Sequence, residues 1–345
     1  MPKANKKLTV ALVCGGQSAE HEVSVESARN VYAALNKAKY NIVIIGLAKN
    51  GDWLSLTPAE LAQAKQVAGR NFALPFCRGG QFYFKIKNLN KKIDVVFPLV
   101  HGPMGEDGTL QGLFKIFNVP FVGAGVLGSA VGMDKDIAKK LLVAAGLPVA
   151  KFLTYNKQQI KTINFNKIKQ ALGLPFFIKP ANMGSSVGIA KINKPAEFSQ
   201  AVKHAFSFDD KIILEENIKG REIECAVLGN NNPKASVLGE IKTKYSFYSY
   251  EAKYLDEAGA ELIIPANLPK NLTKKIQNLA LQVFAVLNCR GMGRVDFFVK
   301  PNQEIIINEI NTIPGFTKIS MYPKLWEASG LPYGRLIDKL IALAS

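Results

Sequence analysis

The segment RVDFFVKPNQEIIINEIN (294–311) constrains this chain more than any other. It reads as two strands joined by a turn, and the runs VDFFV and IIIN are too apolar for an exposed ribbon. With an even-numbered loop centred on Pro301 and Asn302, Asp296 falls opposite Ile307 and Arg294 opposite Glu309. Side chains alternate along a strand, so Arg294, Asp296, Glu309 and Asn311 then project from one side. Charges on so apolar a hairpin need partners. Two carboxylates and an amide oxygen form an oxygen-rich site suited to hard Mg²⁺, completed by phosphate oxygens. The competing reading is a surface strand pair closed by a salt bridge.

FFIKPANMGSSVGIAKI (176–192) adds a second constraint. A buried-looking strand ends in Lys179, and the loop after it carries Gly184, Ser185, Ser186 and Gly188. Glycines let backbone N–H groups close on phosphate oxygens, and hydroxyls add donors. The loop is neither a Walker A sequence nor a GxGxxG turn, and any turn can be glycine-rich. Its weight comes from pairing Lys179 with the hairpin carboxylates. In KIILEENIKGREIE (211–224) a strand runs into Glu215, Glu216, Asn217 and Ile218, with Glu222 just after. Backbone groups at such a hinge can read an adenine edge while a carboxylate takes ribose hydroxyls. In isolation, a charged strand end in solvent is the simpler explanation.

The first third of the chain alternates strands with helices. LTVALVCGG, YNIVIIGLA and KIDVVFPLV read as strands, the last ending at His101, and SVESARNVYAALNKA has helical spacing. This rhythm predicts a parallel sheet with ligand groups at the carboxyl ends of its strands. Further on, REIECAVLG and KASVLGEI read as strands, and PAEFSQAVKHAF, TKKIQNLALQVFAVLN and YGRLIDKLIALA as helices. The chain is therefore expected to be α/β, in three lobes over 1–122, 123–217 and 218–345.

Composition narrows the options. No apolar run approaches the roughly 18 residues of a membrane-spanning helix. LTVALVC leads into a glycine turn rather than a cleavage site, so it reads as a first strand of a cytoplasmic protein. Cys14, Cys77, Cys225 and Cys289 have no paired spacing and sit in or beside apolar runs, where reduced, buried thiols are expected. His21, His101 and His204 lie too far apart in sequence to suggest a zinc site. The net charge of +17, from 44 Lys+Arg against 27 Asp+Glu, would suit nucleic acid, anionic lipid or a phosphorylated substrate. Yet the lysines are spread along the chain with no aromatic-basic motif beside them. A solvated surface is the better reading, and neither nucleic acid nor membrane is expected as a partner.

The motifs GGQSAEHEVS (15–24), HGPMGEDGTLQG (101–112), MDK (133–135), KPANMGSSVG (179–188), YSYEAKY (248–254), GMGRVDFF (291–298) and NEINTIPGFT (308–317) occur in one order over almost the whole length. In this the chain resembles the D-alanine–D-alanine ligases of the ATP-grasp superfamily. The resemblance implies an ATP-grasp fold, with a Rossmann-like first lobe and two further lobes sandwiching ATP. It also implies a homodimer of bacterial peptidoglycan precursor synthesis that phosphorylates one D-alanine so that the amine of a second displaces phosphate.

By motif position, the resemblance gives Lys135 and Lys179 the ATP phosphates, with Ser186 and Lys253 also in the ATP site. Glu215, the backbone of Glu216 and Ile218, and Glu222 would hold adenosine. Asp296, Glu309 and Asn311 would bind two Mg²⁺ (or Mn²⁺) ions. Glu20 would receive the ammonium of the first D-alanine, with His101 nearby, and Arg294 and the Gly315 N–H would form an oxyanion hole. Ser320 and Lys253 would meet the carboxylate of the second D-alanine, and Ser185 and Tyr254 would link to Glu20. The segment 242–260 would be a lid that keeps water from the acyl phosphate. Two positions depart from the familiar motif: Met183 stands where some members carry glutamate, and Glu216 where some carry lysine. Two alternatives stay open, a carboxylate–amine ligase of other specificity, such as one using D-lactate, and a non-catalytic nucleotide or nucleic-acid binder.

Overall fold

The computed structural model describes residues 7–185, 187–243 and 260–344. In chain order the first elements are β1 (Leu8–Gly15), α1 (His21–Ala34), β2 (Tyr40–Leu47), β3 (Trp53–Leu56), α2 (Pro58–Gln63), β4 (Ala73–Arg78), β5 (Gln81–Ile86), β6 (Leu89–Ile93), β7 (Val95–Pro98) and α3 (Thr109–Ile116). Strands β2, β1 and β7 run parallel, and β3 joins antiparallel at the edge. β1 is buried from Val10 to Gly15, as a strand covered on both faces must be. It ends in a turn with Gly15 at φ 91. A Cβ there would lie 2.3 Å from the Leu47 carbonyl oxygen, so only glycine fits. The imidazole of His21 pins this turn, its Nδ1 donating to Gly16 O (2.6 Å) and its Nε2 accepting from Val67 N–H (2.8 Å).

The run KIDVVFPLV, expected as one strand, is two. Asp94 breaks it, its carboxylate accepting the Thr9 N–H (2.8 Å), and β6 turns into a separate antiparallel sheet, β4-β5-β6.

The chain continues through α4 (Val126–Met133), α5 (Lys135–Ala144), β8 (Phe152–Asn156), α6 (Phe165–Leu172), β9 (Phe176–Pro180), β10 (Ala190–Ile192), α7 (Pro195–Ala205) and β11 (Lys211–Glu216). Its antiparallel sheet, β10-β9-β11-β8, is covered by α6 and α7 through Ile168, Leu172, Phe198 and Val202. The last elements are β12 (Arg221–Gly229), β13 (Lys234–Thr243), β14 (Ala260–Ile263), α8 (Lys270–Val286), β15 (Gly291–Val299), β16 (Ile305–Asn311), α9 (Met321–Ala328) and α10 (Tyr333–Leu343). They form the sheet β14-β13-β12-β15-β16. Alternation on β12 sends Ile223, Cys225 and Val227 into a core with α8, which the α5 residues Ala138 and Leu142 join. Ala226 and Leu228 face α9, α10 and the β1 core of the first lobe. Among the described residues no helix is long and apolar enough to cross a membrane.

β15 and β16 form the expected hairpin in a different register. Val299 pairs with Ile305 and Phe297 with Ile307, leaving 300–304 as an odd-numbered loop. Asn308 is then skipped, and pairing resumes with Asp296 opposite Glu309 and Arg294 opposite Asn311. Each irregularity slips the pairing by one residue. A single slip would turn Glu309 and Asn311 away from Asp296, and the second turns them back. The charged groups share a face, but Asp296 does not face Ile307 and Arg294 does not face Glu309. A second correction concerns the cysteines: Cys77 is exposed, whereas Cys14, Cys225 and Cys289 are buried.

Phe316 sits within the core that β1, β7, α9 and α10 share. It is fully buried, with its ring 5.9 Å from Phe97 and 5.7 Å from Tyr322. Phe316→Ala should destabilise the protein by about 3–5 kcal/mol in denaturant unfolding. Ile116→Ala, at a side chain 80% exposed, should stay within about 0.5 kcal/mol. Equal losses would contradict this packing.

Candidate active site

A cleft of about 800 Å³ lies where the sheets converge. Glu20 and His101 reach it from the first lobe, and Lys179, Ser185, Glu215, Glu216 and Ile218 from the second sheet and its loops. Lys135, at the start of α5, lies in the wall, and the third sheet and its following loop bring Glu222, Arg294, Asp296, Glu309, Asn311, Gly315 and Ser320. Ser186, Lys253 and Tyr254 lie outside the described residues, as does 244–259 of the expected lid.

The end of β11 is organised by charge. Glu215 is buried, and Lys139 Nζ stands 2.8 Å from its Oε1 while Lys179 pairs with Oε2. Burial pushes this carboxyl up, but the two ammonium groups outweigh it and hold it at about 2. The depressed value means that this contribution to stability is present above the ordinary carboxyl range and is lost as pH falls toward 2. Burial likewise pushes Lys179 down, and Glu215 more than offsets it. Lys135 Nζ donates to Met183 O (2.7 Å) and lies 3.7 Å from Glu309 Oε2. Met183 thus contributes its carbonyl, which its unusual side chain does not affect. Glu216 donates its N–H to Lys151 O (3.0 Å) and accepts Lys151 N–H on Oε1 (2.8 Å), so its backbone donor is already engaged.

At the opposite end, Glu20 is the residue capping α1, yet its side chain makes no capping bond. It receives the Ser185 hydroxyl instead. Ser185 holds φ 50, a left-handed conformation of the kind that gathers at functional sites. A Cβ on Gly184 would sit 2.8 Å from Glu20 Oε2, and one on Gly102 3.0 Å, so two loops close on this carboxylate. Nearby, the buried Glu106 accepts N–H from Gly102 (2.7 Å) and Ile313 (3.1 Å), and burial together with the charge of Glu20 pushes its pKa up. His101 is buried as well, which lowers its pKa and keeps the ring neutral despite Glu20.

On the hairpin face, Arg294 forks onto Asp296 at 2.8 and 2.7 Å, and its Nε lies 2.9 Å from Glu224 Oε2. Asn311 Nδ2 donates to Asp296 Oδ2 (3.0 Å). Among the described residues no three His, Cys, Asp or Glu side chains gather closely enough to hold a metal alone. Asp296, Glu309 and the Asn311 amide oxygen do fit Mg²⁺, which keeps water and takes phosphate oxygens rather than requiring a full protein cage. In the last wall, a Cβ on Gly315 would meet Ser320 Oγ at 2.7 Å, and that oxygen accepts the Thr317 N–H (3.0 Å).

Lys139, Glu106 and Glu224 were not expected here. Lys139 follows Lys135 by four residues, the spacing of neighbours on one helix face. Glu224 follows Glu222 by two on a strand and is registered with Asp296. Nothing local marks Glu106.

Residues 9–124 match the family described as D-ala D-ala ligase N-terminus, and 141–342 the D-ala D-ala ligase C-terminus. The D-alanine--D-alanine ligase of Shouchella clausii is 51% identical over 348 residues, covering 98% of this chain and 95% of that protein. D-alanine--D-alanine ligase A of Escherichia coli K12 is 46% identical over 356 residues, covering 98% and 96%. Among solved structures, the D-alanine-D-alanine ligase from Coxiella burnetii superposes with a TM-score of 0.86 at 40% identity, covering 98% of this chain and 93% of that one. VanG D-Ala:D-Ser ligase from Enterococcus faecalis gives 0.87 at 36% identity, covering 98% and 99%. The architecture is the ATP-grasp fold. With both family halves matched and relatives about half identical over nearly its full length, the chain belongs to the D-alanine–D-alanine ligase family.

Proposed function

We propose that this enzyme joins two D-alanines into D-alanyl-D-alanine for peptidoglycan precursor synthesis, through D-alanyl phosphate, releasing ADP and phosphate. The observation that carries this reading is the bond between Glu20 and Ser185. It ties an ammonium-binding carboxylate of the first lobe to the phosphate-side loop of the second, in a cleft that Arg294 and Gly315 also line.

A carboxylate resists an amine because its anion repels nucleophiles and has no leaving group. Phosphorylation supplies the leaving group. Lys135 and Lys179, with Ser186 and Lys253, hold the ATP phosphates, and Glu215, the Glu216 and Ile218 backbone and Glu222 hold adenosine. Asp296, Glu309 and Asn311 would hold two Mg²⁺ (or Mn²⁺) ions, which spread the charge of the transferring phosphoryl group. Glu20 takes the ammonium of the first D-alanine. Arg294, trading its Asp296 contact, and the Gly315 N–H stabilise the tetrahedral oxyanion. Ser320 and Lys253 orient the second D-alanine by its carboxylate, and Tyr254 joins Ser185 in ordering the lid at 242–260. Lobes over 1–122, 123–217 and 218–345, a homodimer and a cytoplasmic location belong to the same proposal.

Phosphate release with ATP, Mg²⁺ and D-alanine should far exceed release with L-alanine, D-serine or D-lactate, with D-alanyl-D-alanine as the product. Faster mixed-product formation with D-serine or D-lactate as second substrate would reassign the specificity. Asp296→Asn and Glu309→Gln should each lower phosphate release by about 100-fold or more while circular dichroism stays unchanged. Wild-type turnover in both variants would remove the metal assignment. Glu20→Gln loses a hydrogen bond to a charged group, worth about 1.5–3 kcal/mol. The KM for the first D-alanine should therefore rise roughly ten- to a hundredfold, and an unchanged KM would reduce Glu20 to a helix-end charge.

A further inference from the structure

The segment Ile313–Thr317 carries Gly315 past the cleft, and side chains of the first lobe hold it on both sides of that glycine. On one side His101 Nδ1 lies 3.0 Å from Ile313 O. A carbonyl only accepts, so Nδ1 carries the ring proton. In a neutral ring Nε2 is then an acceptor, and Ser27 Oγ lies 3.3 Å from it. On the other side Phe316 N–H donates to that same Ser27 Oγ (3.1 Å). The bonds chain without conflict, from Phe316 N–H to Ser27 Oγ, from the Ser27 hydroxyl to His101 Nε2, and from His101 Nδ1–H to Ile313 O. His101, Ser27 and Phe316 are all buried.

We propose that Ser27 and His101 form a bracket that fixes the Gly315 N–H against the reacting carbonyl, with Ser27 as a positioning residue for the ligation step. Both ring nitrogens of His101 are engaged by protein groups, so its role is to hold this segment rather than to bind the D-alanine ammonium. Ser27 lies on α1, seven residues after Glu20, about 10 Å along one rigid helix. A single helix thereby sets the carboxylate for the first substrate and the anchor for the oxyanion donor. Glu106, accepting the Ile313 N–H, holds the same segment from the neighbouring loop.

This inference rests on the reading of Gly315 as an oxyanion donor, and it separates two halves of the reaction. An oxyanion forms when the second amine attacks the acyl phosphate, not when ATP phosphorylates the first D-alanine. Formation of acyl phosphate is measured by exchange between the β,γ-bridge and β-nonbridge oxygens of ¹⁸O-labelled ATP in the presence of D-alanine. Ser27→Ala should lower kcat for D-alanyl-D-alanine by about tenfold or more, the order expected when a reacting group is slightly misplaced. Oxygen exchange and the KM for ATP should stay at or above roughly wild-type performance. A parallel loss of exchange and ligation would make Ser27 merely structural, and no loss in either would dismiss the bracket. If Ser27→Ala does not fold, Ser27→Cys, similar in size with a weaker hydrogen-bonding group, should give a smaller split of the same kind, and its absence would overturn the proposal. No ligation by the wild type would remove the functional reading and the bracket together, whereas normal wild-type ligation without the split removes the bracket alone.

Discussion

Lys139, Glu215 and Lys179 form a buried ion group on which the central architecture turns. It ties α5 to β9 and β11, elements that sequence order separates. Desolvating three charges is costly, and a buried pair that loses one member leaves the other uncompensated. Here one carboxylate answers two ammonium groups, and Lys179 also feels the charges of Glu309 and Glu222 across the cleft.

The same logic runs through the rest of the cleft. Arg294 rests on Asp296 and Glu224, Lys135 approaches Glu309, and Glu20 takes a hydroxyl from Ser185. These contacts give each of these charged groups a partner within the protein, as a partly buried charge requires. Rigid supports surround them. Glycine-lined loops close on Glu20, and the hairpin bulge holds Glu309 beside Asp296.

Shared architecture does not by itself distinguish acceptor substrates. A D-alanine-D-alanine ligase and a D-Ala:D-Ser ligase superpose on this chain equally well, at TM-scores of 0.86 and 0.87. Specificity between such small substrates rests on a few contacts, because function is carried by sites grafted on a fold.

Much of this was legible along the chain because it depends on local periodicity. The parallel strands β1 and β2 announced themselves as continuous apolar runs, and the parity of alternation suggested that Arg294, Asp296, Glu309 and Asn311 share a side. Chirality and the pleat impose those patterns on neighbouring residues whatever lies elsewhere. Other features depend on residues far apart in sequence. The pairing of Arg294 with Asn311 rather than Glu309 was set by an odd loop and the bulge at Asn308, and Asp94 split an apparently single strand by bonding Thr9. Likewise, the pairing of Lys139 with Glu215, the bond from Ile313 N–H to Glu106 and the span from Ser27 through His101 to Ile313 and Phe316 arise only when segments far apart in sequence pack. Buried polar groups must find partners wherever packing brings them, and no periodicity in the chain records which group that will be.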